Sequence, residues 1–242
     1  MVITSVNNER IKEICKLKEK KYRDITGTFL IEGEHLLYEA YKADLIKEVF
    51  VLEGVDISLD ASVSYVSKSV MKKLSSMESV PKVIAVSYKK KESDIGNRIL
   101  ILDDIQDPGN LGTIIRSSLA FGIDTIVLSP NTVDLYNAKV IRSTKGMLFH
   151  INVIVRELDK FICDIKKDDY KIYGTKVDGG TDIKNVNITN KCALIIGNEG
   201  NGMSDVVSDL CDEYLYIKMN DKVESLNAGV ATSILLYEMY NK

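Results

Sequence analysis

The chain has 242 residues, 45% of them hydrophobic, and a formal net charge of −3, which is enough apolar material for one large or two ordinary globular domains. No apolar run is long enough to span a bilayer and the N-terminus lacks a signal pattern, so we expect a cytoplasmic protein without a membrane partner. The cysteines at 15, 163, 192 and 211 show no C-x-x-C spacing and only two His are present. A metal site and a disulfide framework are therefore disfavoured, and reduced core thiols are expected.

Charge is distributed unevenly along the chain. Residues 1–98 carry 17 Lys and Arg against 15 Asp and Glu, whereas residues 99–242 carry 15 against 20. The basic excess is concentrated in one early stretch, at Lys16, Lys18, Lys20, Lys21 and Arg23. Such a cluster can contact phosphates, but charge alone favours an ordinary solvated helix face over a nucleic-acid site.

The first third of the chain alternates between helix and strand patterns. Asn7 or Asn8 can cap a first helix, followed by a strand at 29–31, a helix at 33–43, a strand at 49–52, a helix at 67–74 and a strand at 83–86. The polar segment 88–97 has no periodicity and is typical of a linker. We therefore predict a small α/β domain over residues 1–88, a linker over 89–97 and a second domain over 98–242.

A strand, loop, helix, strand unit follows the linker. The all-apolar run 99–102 ends in Asp103 and Asp104, which is typical of a strand buried on both faces of a parallel sheet. Asn110 is a candidate N-cap for a helix that ends near Gly122, Arg116 lies off its apolar stripe, and 126–128 predicts a second strand. Because ligands of open α/β sheets bind beyond the carboxyl ends of the strands, the loop 103–110 is a candidate site.

The rest of the chain continues the alternation, with helices predicted at 135–144 and 158–165 and strands at 151–155, 171–175, 193–196 and 214–217. The strand at 193–196 leads into the glycine-dense turn 197–202, which favours a close approach of backbone to a partner. Ser225 is a candidate cap for a closing helix that runs to about Tyr240. One face is formed by Leu226, Val230, Ile234 and Tyr237, with Ala228, Ala231 and Leu235 beside them. Gly229 inside it costs about 1 kcal/mol relative to Ala, so we expect a close packing or ligand contact there.

Three polar clusters thus lie in this half of the chain: Asn110 with Arg116, the turn 197–202, and Ser225 with Asn227. No P-loop is present and no G-x-G-x-x-G follows the first strand, so nucleotide hydrolysis and dinucleotide binding are poorly supported. Backbone amides, one carboxylate and neutral side chains suit a neutral or cationic small ligand with many hydrogen-bonding edges.

The clusters resemble the motifs of a known family. The segments Asp107-Pro-Gly-Asn-Leu-Gly with Arg116, Gly197-Asn-Glu-Gly-Asn-Gly-Met-Ser204 and Glu224-Ser-Leu-Asn227 resemble, in order and spacing, the three motifs of the SpoU (TrmH-like) RNA 2′-O-ribose methyltransferases of the SPOUT superfamily. Phe29-Leu-Ile-Glu-Gly33 and its surroundings resemble the N-terminal L30e-like RNA-binding domain of many members, so the resemblance covers essentially the whole chain. The chain departs from the family pattern at Gly229, where a serine is common, and at Ala228, where valine is frequent.

The resemblance implies an S-adenosylmethionine enzyme of the α/β class. Its C-terminal domain is expected to be a parallel sheet tied in a deep trefoil knot and paired as a homodimer, with a smaller N-terminal L30e-like domain that binds RNA; no metal is implied. The positions tied to catalysis or site architecture are Asn110, Arg116, Glu199, Ser225 and Asn227. Those expected to hold the cofactor are Thr175, within 174–179, and Gly197, Asn198, Glu199, Gly200, Gly202, Ile217, Met219, Ser225, Leu226 and Asn227. RNA contacts are expected from Lys16, Lys18, Lys20, Lys21, Arg23 and Arg142.

The reaction implied by the resemblance is an in-line attack of a ribose hydroxyl on the sulfonium methyl group, for which positioning supplies much of the rate. A guanidinium stays protonated in proteins, so we interpret Arg116 as a ligand of RNA phosphate or ribose, with deprotonation late or shared with a motif neighbour or water. The two-domain layout favours ribosomal RNA over transfer RNA. One alternative is a catalytically silent RNA-binding protein of the same fold acting in ribosome assembly, but such a protein would not need all of the motif residues. The other is a methyltransferase for a protein or small molecule, which the N-terminal RNA-binding domain disfavours.

Overall fold

The computed structural model describes residues 2–177 and 179–242, and the chain forms two compact units. Unit 1 contains residues up to Lys91 together with Tyr136–Phe149, and unit 2 contains Glu92–Leu135 and His150–Lys242. The break at Lys91 falls inside the segment 89–97, which has no helix or strand. Unit 1 is assembled from two separate stretches of chain, whereas the sequence-based domains are consecutive segments. The domain limits drawn from the sequence stay a prediction.

The elements follow one another in an alternating order. The strands are β1 Val2–Ile3, β2 Thr28–Glu32, β3 Ile46–Leu52, β4 Val63–Val66, β5 Val83–Tyr88, β6 Arg98–Leu102, β7 Thr125–Leu128, β8 Asn152–Val155, β9 Lys171–Thr175, β10 Thr181–Asp182, β11 Cys192–Ile196 and β12 Glu213–Tyr216. The α-helices are α1 Glu9–Lys16, α2 Lys20–Thr26, α3 Glu34–Lys42, α4 Lys68–Leu74, α5 Pro108–Ala120, α6 Ala138–Thr144, α7 Leu158–Lys167, α8 Asp205–Ser208 and α9 Ala228–Tyr240. Single 3₁₀ turns occupy Met147–Phe149 and Ile183–Asn185.

Unit 1 is built on a mixed five-stranded sheet in the order β1-β4-β3-β5-β2. Strand β3 runs parallel to β4 and antiparallel to β5, and β2 closes the other edge antiparallel to β5. Helices α1 and α4 bury apolar side chains against this sheet in a cluster of Ile11, Leu17, Phe50, Val66, Val70, Met71, Leu74, Ile84 and Val86. Phe29 of β2 contacts the rings of Tyr136 and Phe149, with centroids 4.7 and 6.2 Å away, so the second stretch of chain is held to unit 1 by aromatic packing.

Unit 2 is built on a seven-stranded parallel sheet in the order β10-β12-β9-β11-β6-β7-β8. The central strands β6 and β11 are buried along nearly their whole length, as expected of parallel strands covered on both faces. Their register pairs Ile196 with Leu102. The loops that leave these two strands therefore start side by side.

Two helix caps differ from the predicted ones. The N-cap of α5 is Asp107, whose Oδ1 accepts from the backbone N–H of Asn110 at 2.8 Å, and the N-cap of α9 is Asn227. The predicted cap Asn110 was wrong because Pro108 is well suited to the first helical position, which moves the cap back to residue 107. The predicted cap Ser225 was wrong because the last helix starts two residues later than predicted, at Ala228. At the first helix, Asn8 is the cap as predicted, accepting from Arg10 and Ile11.

The buried face of α9 also differs from the prediction. Its buried residues are Gly229, Thr232, Leu235, Leu236 and Met239, whereas Val230 and Tyr237 are exposed. The helix is apolar on nearly every side, so periodicity cannot select the face that packs. Helix α9 lies against α5, where Ser233 Oγ and Ser117 Oγ are 2.7 Å apart. A Cβ on Gly229 would lie 3.2 Å from Thr113, which confirms the expected close packing.

The expectation of reduced core thiols holds for some of the cysteines and not for others. Cys192 and Cys211 lie in apolar surroundings, and burial raises the pKa of each thiol to about 11. Cys163 is exposed, so it is not the core thiol that we predicted. Among the described residues, none of the helices has the length and apolar character needed to cross a bilayer.

Candidate active site

The loops after β6 and β11 lie next to each other at one edge of the unit 2 sheet. The backbone N–H of Asp103 donates to the carbonyl of Ile196 at 2.9 Å, which extends the strand pairing by one step into the loops. Asp103 Oδ2 then accepts from both the backbone N–H and the hydroxyl of Ser204, at 2.7 and 2.9 Å. This carboxylate ties the two loops together, a role that the position of Asp103 at the end of a predicted strand does not reveal by itself.

The glycine-dense turn 197–202 has the conformation that its composition predicts. Asn198 and Gly202 form an antiparallel bridge with two backbone hydrogen bonds of 2.8 and 3.0 Å. A Cβ on Gly197 would lie 2.2 Å from the backbone of Gly202 and Met203, and Gly202 has φ of +71°. Both positions thus require glycine for physical reasons. Asn198 stabilises the turn from within, because its Oδ1 accepts from the backbone N–H groups of residues 200 and 201.

Glu199 points from this turn to the neighbouring loop and accepts three hydrogen bonds there. Oε1 accepts from Asp107 N and Asn110 Nδ2, both at 3.0 Å, and Oε2 accepts from Gln106 N at 3.1 Å. Partial burial by itself raises the pKa of Glu199, but these donors outweigh it and the pKa lies below its ordinary value. The carboxylate is therefore ionised at neutral pH and acts as an acceptor for the loop, not as a proton donor.

Asn110 connects Glu199 to the third motif by a further hydrogen bond. Its Oδ1 accepts from Asn227 Nδ2 at 2.8 Å, and Asn227 Oδ1 accepts from the backbone N–H groups of Gly229 and Val230 at the start of α9. One chain of hydrogen bonds therefore runs from Glu199 through Asn110 to Asn227. The side chain of Asn110 can bond to both Glu199 and Asn227 because the N-cap of α5 is Asp107 and not Asn110.

A cavity of about 520 Å³ lies beside this chain of hydrogen bonds. Of the predicted cofactor residues, those that line it are Thr175, Gly197, Asn198, Glu199, Gly200, Gly202, Ile217, Met219, Ser225 and Leu226, and Asn227 is not among the lining residues. Asp178, inside the predicted segment 174–179, lies outside the described residues. The walls also include residues that the sequence analysis missed, among them Ile196, Met203, Leu215, Ala228, Ala231 and Leu235. A signal was available for Ile196, Met203, Ala228 and Ala231, which lie in or within four residues of a motif, but not for Leu215 and Leu235.

The chemistry of the cavity is that of a small-ligand site. Its volume is within the range of about 300–1,000 Å³ typical of such sites. Its lining combines aliphatic side chains with the residues of the glycine turn, Glu199 among them. The Thr175 hydroxyl donates to the Ile195 carbonyl at 2.9 Å, so it is held in place by its own neighbour strand. A ligand with an apolar ring, hydrogen-bonding edges and a positive charge fits these walls.

Arg116 lies apart from the cavity lining. It is on the exposed side of α5, as its position off the apolar stripe predicted, and among the described residues it has neither a hydrogen bond nor an ion pair. A cation held at the surface without a partner is available to an external group. Its part in catalysis stays a prediction.

The predicted RNA-binding residues are not equivalent. Arg23 is 6% exposed and donates to the carbonyls of Leu17 and Lys18 at 2.9 and 2.7 Å, so it stabilises the α1–α2 connection and is no longer a candidate phosphate contact. Lys18 donates to two carbonyls, those of residues 73 and 75. The prediction failed at Arg23 because a charge run does not tell which cations are buried and bonded to the backbone. Lys18 is exposed, and its contact with RNA stays a prediction.

The remaining basic side chains of this stretch keep their charge at the surface. Lys16 and Lys20 pair with Glu13 and Asp24 in exposed ion pairs of 2.6 and 2.7 Å, which are individually weak. Hydrogen bonds from Lys20 and Lys89 lower the pKa of Asp24 to about 2, so that carboxylate stays ionised. Lys21 lies 6.0 Å from the ring centre of Tyr22. These lysines stay candidates for phosphate contacts.

Comparisons with known proteins agree with this geometry. A model described as the SpoU rRNA Methylase family matches residues 97–237, and one described as an MRM3-like substrate binding domain matches residues 8–85. The chain is 36% identical over 243 residues to a 23S rRNA (guanosine(2553)-2′-O)-methyltransferase, RlmP, of Bacillus subtilis (strain 168), with 98% of each chain covered.

Two solved structures are similar over the whole chain. An RNA 2′-O ribose methyltransferase superposes with a TM-score of 0.85 at 29% identity, covering 100% of this chain and 98% of the other. An AdoMet-bound rRNA methyltransferase from Sinorhizobium meliloti superposes with a TM-score of 0.87 at 26% identity, covering 100% and 97%. The fold expected from the resemblance, a parallel-sheet domain with a smaller α/β domain, is confirmed.

Proposed function

Since this chain belongs to the SpoU rRNA methylase family, we propose that it transfers the methyl group of S-adenosylmethionine to a ribose 2′-hydroxyl of 23S ribosomal RNA. The observation that carries the proposal is the chain of hydrogen bonds from Glu199 through Asn110 to Asn227, which joins all three motifs beside the cavity. The B. subtilis relative is named for guanosine 2553, and the equivalent nucleotide is the first position to test.

The cavity residues fit S-adenosylmethionine. The aliphatic wall from Ile217, Leu226 and Leu235 offers a face for the adenine ring, and the turn 197–202 offers backbone groups to its polar edges. The ionised Glu199 in the lining favours a ligand with a positive charge. The cofactor supplies the electrophilic methyl group; the chain supplies a fixed and largely apolar site that keeps it oriented.

Arg116 is the residue that we propose to position the RNA. A guanidinium donates to two acceptors in one plane, so it can hold a phosphate and orient a neighbouring ribose hydroxyl. It stays protonated during the reaction, and the hydroxyl proton passes to water or to a neighbouring motif group late in the transfer. Ser225 lines the cavity and has a hydroxyl in the third motif, so it is one candidate for the motif group that contacts the departing proton.

The proposal extends to partners and location. Unit 1, which contains the match to a substrate binding domain, is the part that we expect to bind RNA, and a ribosomal RNA substrate implies a cytoplasmic enzyme. We also propose a homodimer through unit 2. Helix α9 exposes the large apolar side chains Val230, Tyr237 and Tyr240, which is the kind of surface that a partner covers. The deep knot implied by the resemblance stays a prediction.

The test is transfer of a labelled methyl group from S-adenosylmethionine to 23S rRNA transcribed without modifications, followed by mapping of the modified nucleotide. We expect one methylated ribose, and a transcript that carries deoxyribose at the mapped nucleotide should accept no label. Labelling of the deoxy transcript would place the methyl group on the base and contradict the proposal. RNA binding without any transfer, with cofactor bound, would instead favour the silent RNA-binding protein.

A further inference from the structure

Unit 1 contains a second cavity, of about 360 Å³, at the start of α3. We call it the α3–α6 pocket. Its lining comes from the start of α3, from the segment before β5 and from α6 with the residue that follows it: Glu32, Gly33, Glu34, His35, Leu36, Met77, Pro81, Lys82, Arg142 and Lys145. All of these residues belong to unit 1. Nothing in the proposed reaction uses this pocket.

The floor of the pocket is built from a fixed carboxylate. Glu32 is 8% exposed and accepts from Ser75 Oγ at 2.5 Å and from the backbone N–H and Oγ of Ser76 at 2.9 and 2.5 Å. Arg142 Nη1 donates to Ser76 Oγ at 2.8 Å and lies 4.0 Å from Glu32 Oε1. The guanidinium is therefore held in one place while its side chain is still 35% exposed. A cation that is both fixed and accessible is well suited to recognise an anion.

The rim adds further cations and a constrained backbone. Lys145 follows α6, is exposed and has φ of +50°, a left-handed conformation that is uncommon for lysine. His35 Nε2 is 3.0 Å from the Lys145 carbonyl, so the two sides of the pocket contact each other. Lys82 lies 3.5 Å from Glu34 in an exposed pair. Among the described residues Lys145 has no carboxylate partner, whereas Arg142 has one, the buried Glu32 at 4.0 Å. Lys145 is therefore the cation of the pocket with the most charge left for a ligand, and Arg142 is the one held in a fixed position.

An aromatic side chain lies on the same helix face as the pocket. Tyr38 is one turn after His35 and is 55% exposed, and Lys42 Nζ lies 4.4 Å from the centre of its ring. Positions 35, 38 and 42 fall on one side of α3 at helical spacing. An exposed ring bordered by lysine is the arrangement on which unpaired bases stack, each stack contributing about 1–3 kcal/mol.

We propose that the α3–α6 pocket binds one unstacked nucleotide of the RNA substrate, with its phosphate on Arg142 and Lys145 and its base toward Met77 and Pro81. The neighbouring base stacks on Tyr38. The pocket volume suits one nucleotide, and sequence-specific RNA recognition commonly uses bases that are splayed out of loops. The inference rests on the proposed function in one respect, that the RNA is the methylation substrate.

The experiment uses the full chain and the unmodified 23S rRNA fragment that contains the mapped nucleotide. Arg142→Gln and Lys145→Asn remove one charge each, and asparagine readily adopts the left-handed backbone of position 145. Each variant should weaken RNA binding about tenfold and lower the slope of log affinity against log salt by about 0.7–0.9. Tyr38→Ala should weaken binding without changing the slope. The RNA KM should rise in all three, with kcat and cofactor affinity unchanged.

Lys68→Ala is the matched control, because Lys68 is an exposed lysine of unit 1 outside the pocket; binding should equal that of the wild type. Arg142→Lys should recover part of the loss if charge is what matters, which also shows that the position tolerates substitution. Unchanged affinity and slope in both charge variants would overturn the inference. Saturating guanosine monophosphate that fills the pocket without displacing RNA would overturn it too, by assigning the pocket to a free nucleotide.

The inference and the proposed function can fail separately. If the wild type methylates the RNA but the pocket variants bind it normally, the function stands and the pocket is not an RNA site. If no RNA is methylated but the pocket variants lose RNA affinity as described, the pocket stands and the catalytic proposal falls.

Discussion

Asn227 donates from Nδ2 to Oδ1 of Asn110 at 2.8 Å, although the two residues are 117 positions apart in sequence. Asn110 in turn donates to Glu199, so each asparagine uses both ends of its amide within this chain of bonds. Because an amide has one donor end and one acceptor end, the direction of these bonds is set from both ends, by the ionised carboxylate of Glu199 and by the backbone N–H groups of residues 229 and 230. The charge of Glu199 therefore agrees with the start of α9 in ordering the three motifs.

Glu199→Gln is the direct test of that role. Glutamine keeps one acceptor but places an NH₂ group against one of the three donors from residues 106, 107 and 110. We expect the free energy of unfolding to fall by about 1 kcal/mol, since the side chain is open to water, and methyl transfer to fall at least tenfold. Urea unfolding and single-turnover rates measure the two effects. Asp60→Asn, which removes an exposed carboxylate from a unit 1 loop, should change neither.

The pH dependence of stability provides a second test of the same residue. The pKa of Glu199 is lowered in the folded state, so its contribution is present above the unfolded pKa of about 4.3 and is lost as the pH falls through the folded pKa. The difference in unfolding free energy between wild type and Glu199→Gln should therefore be constant from pH 7 to about 5 and shrink below about pH 4.3. A difference that grows on acidification would mean that the native carboxyl is protonated.

Gly197→Ala tests the link between the tight turn and cofactor binding. Its Cβ would lie 2.2 Å from backbone atoms of Gly202 and Met203, so the turn must open, whereas a Cβ on Gly200 would meet nothing closer than 3.6 Å. We expect Gly197→Ala to lower the affinity for S-adenosylmethionine more than tenfold, by calorimetry on the full chain, and Gly200→Ala to keep the unfolding free energy within about 0.5 kcal/mol of the wild type. Equal cofactor affinity in wild type and Gly197→Ala would separate the turn from the binding site.

How far the sequence predicts this molecule depends on the kind of interaction. The strands at 171–175 and 193–196 were found within one residue of their observed limits. The second is the easier case, because a parallel strand buried on both faces is a continuous apolar run. The two-residue β1 and the polar helix α2 were missed, because neither has a periodic apolar pattern and each is stabilised by the rest of unit 1. Arg23 could not be distinguished from its neighbouring lysines, since only tertiary packing buries it.

The residues of the site were predicted from the sequence, but the hydrogen bonds that connect them were not. The motif residues around the cavity were named from sequence, yet the role of Asp103 follows from the register of β6 and β11. The pairing of Asn110 with Asn227 follows from the packing of α5 against α9. The two wrongly predicted helix caps have the same cause, which is that residue type alone does not reveal tertiary contacts. Asn110 and Ser225 are good capping residues by type, and only the folded chain shows that their positions face the neighbouring loop and the cavity instead.

The lysines of the first two helices allow a prediction about salt dependence. Lys16, Lys20 and Lys21 keep their charged groups at the surface, so each that contacts a phosphate should contribute about 0.7–0.9 to the slope of log affinity against log salt. The triple alanine variant should show a flatter slope in RNA binding measured from low to moderate salt. Lys18→Ala is the comparison, because Lys18 is bonded to the carbonyls of residues 73 and 75. If the triple variant keeps the wild-type slope, these lysines are an ordinary solvated face.

Arg116→Ala should abolish methyl transfer and leave cofactor binding nearly unchanged. Arg116 is exposed on α5 and lies outside the cavity lining, so its removal costs the fold little, whereas loss of the buried Ile114 or Ile115 would open the core. Arg116→Lys should fail as well, because an ammonium group keeps the charge but lacks the planar fork that holds a phosphate and orients a ribose together. The measurement is the single-turnover rate on the mapped RNA beside the calorimetric affinity for S-adenosylmethionine, with thermal unfolding as the check on folding. A variant that methylates at the wild-type rate, or one that has lost the cofactor, would remove Arg116 from the chemistry.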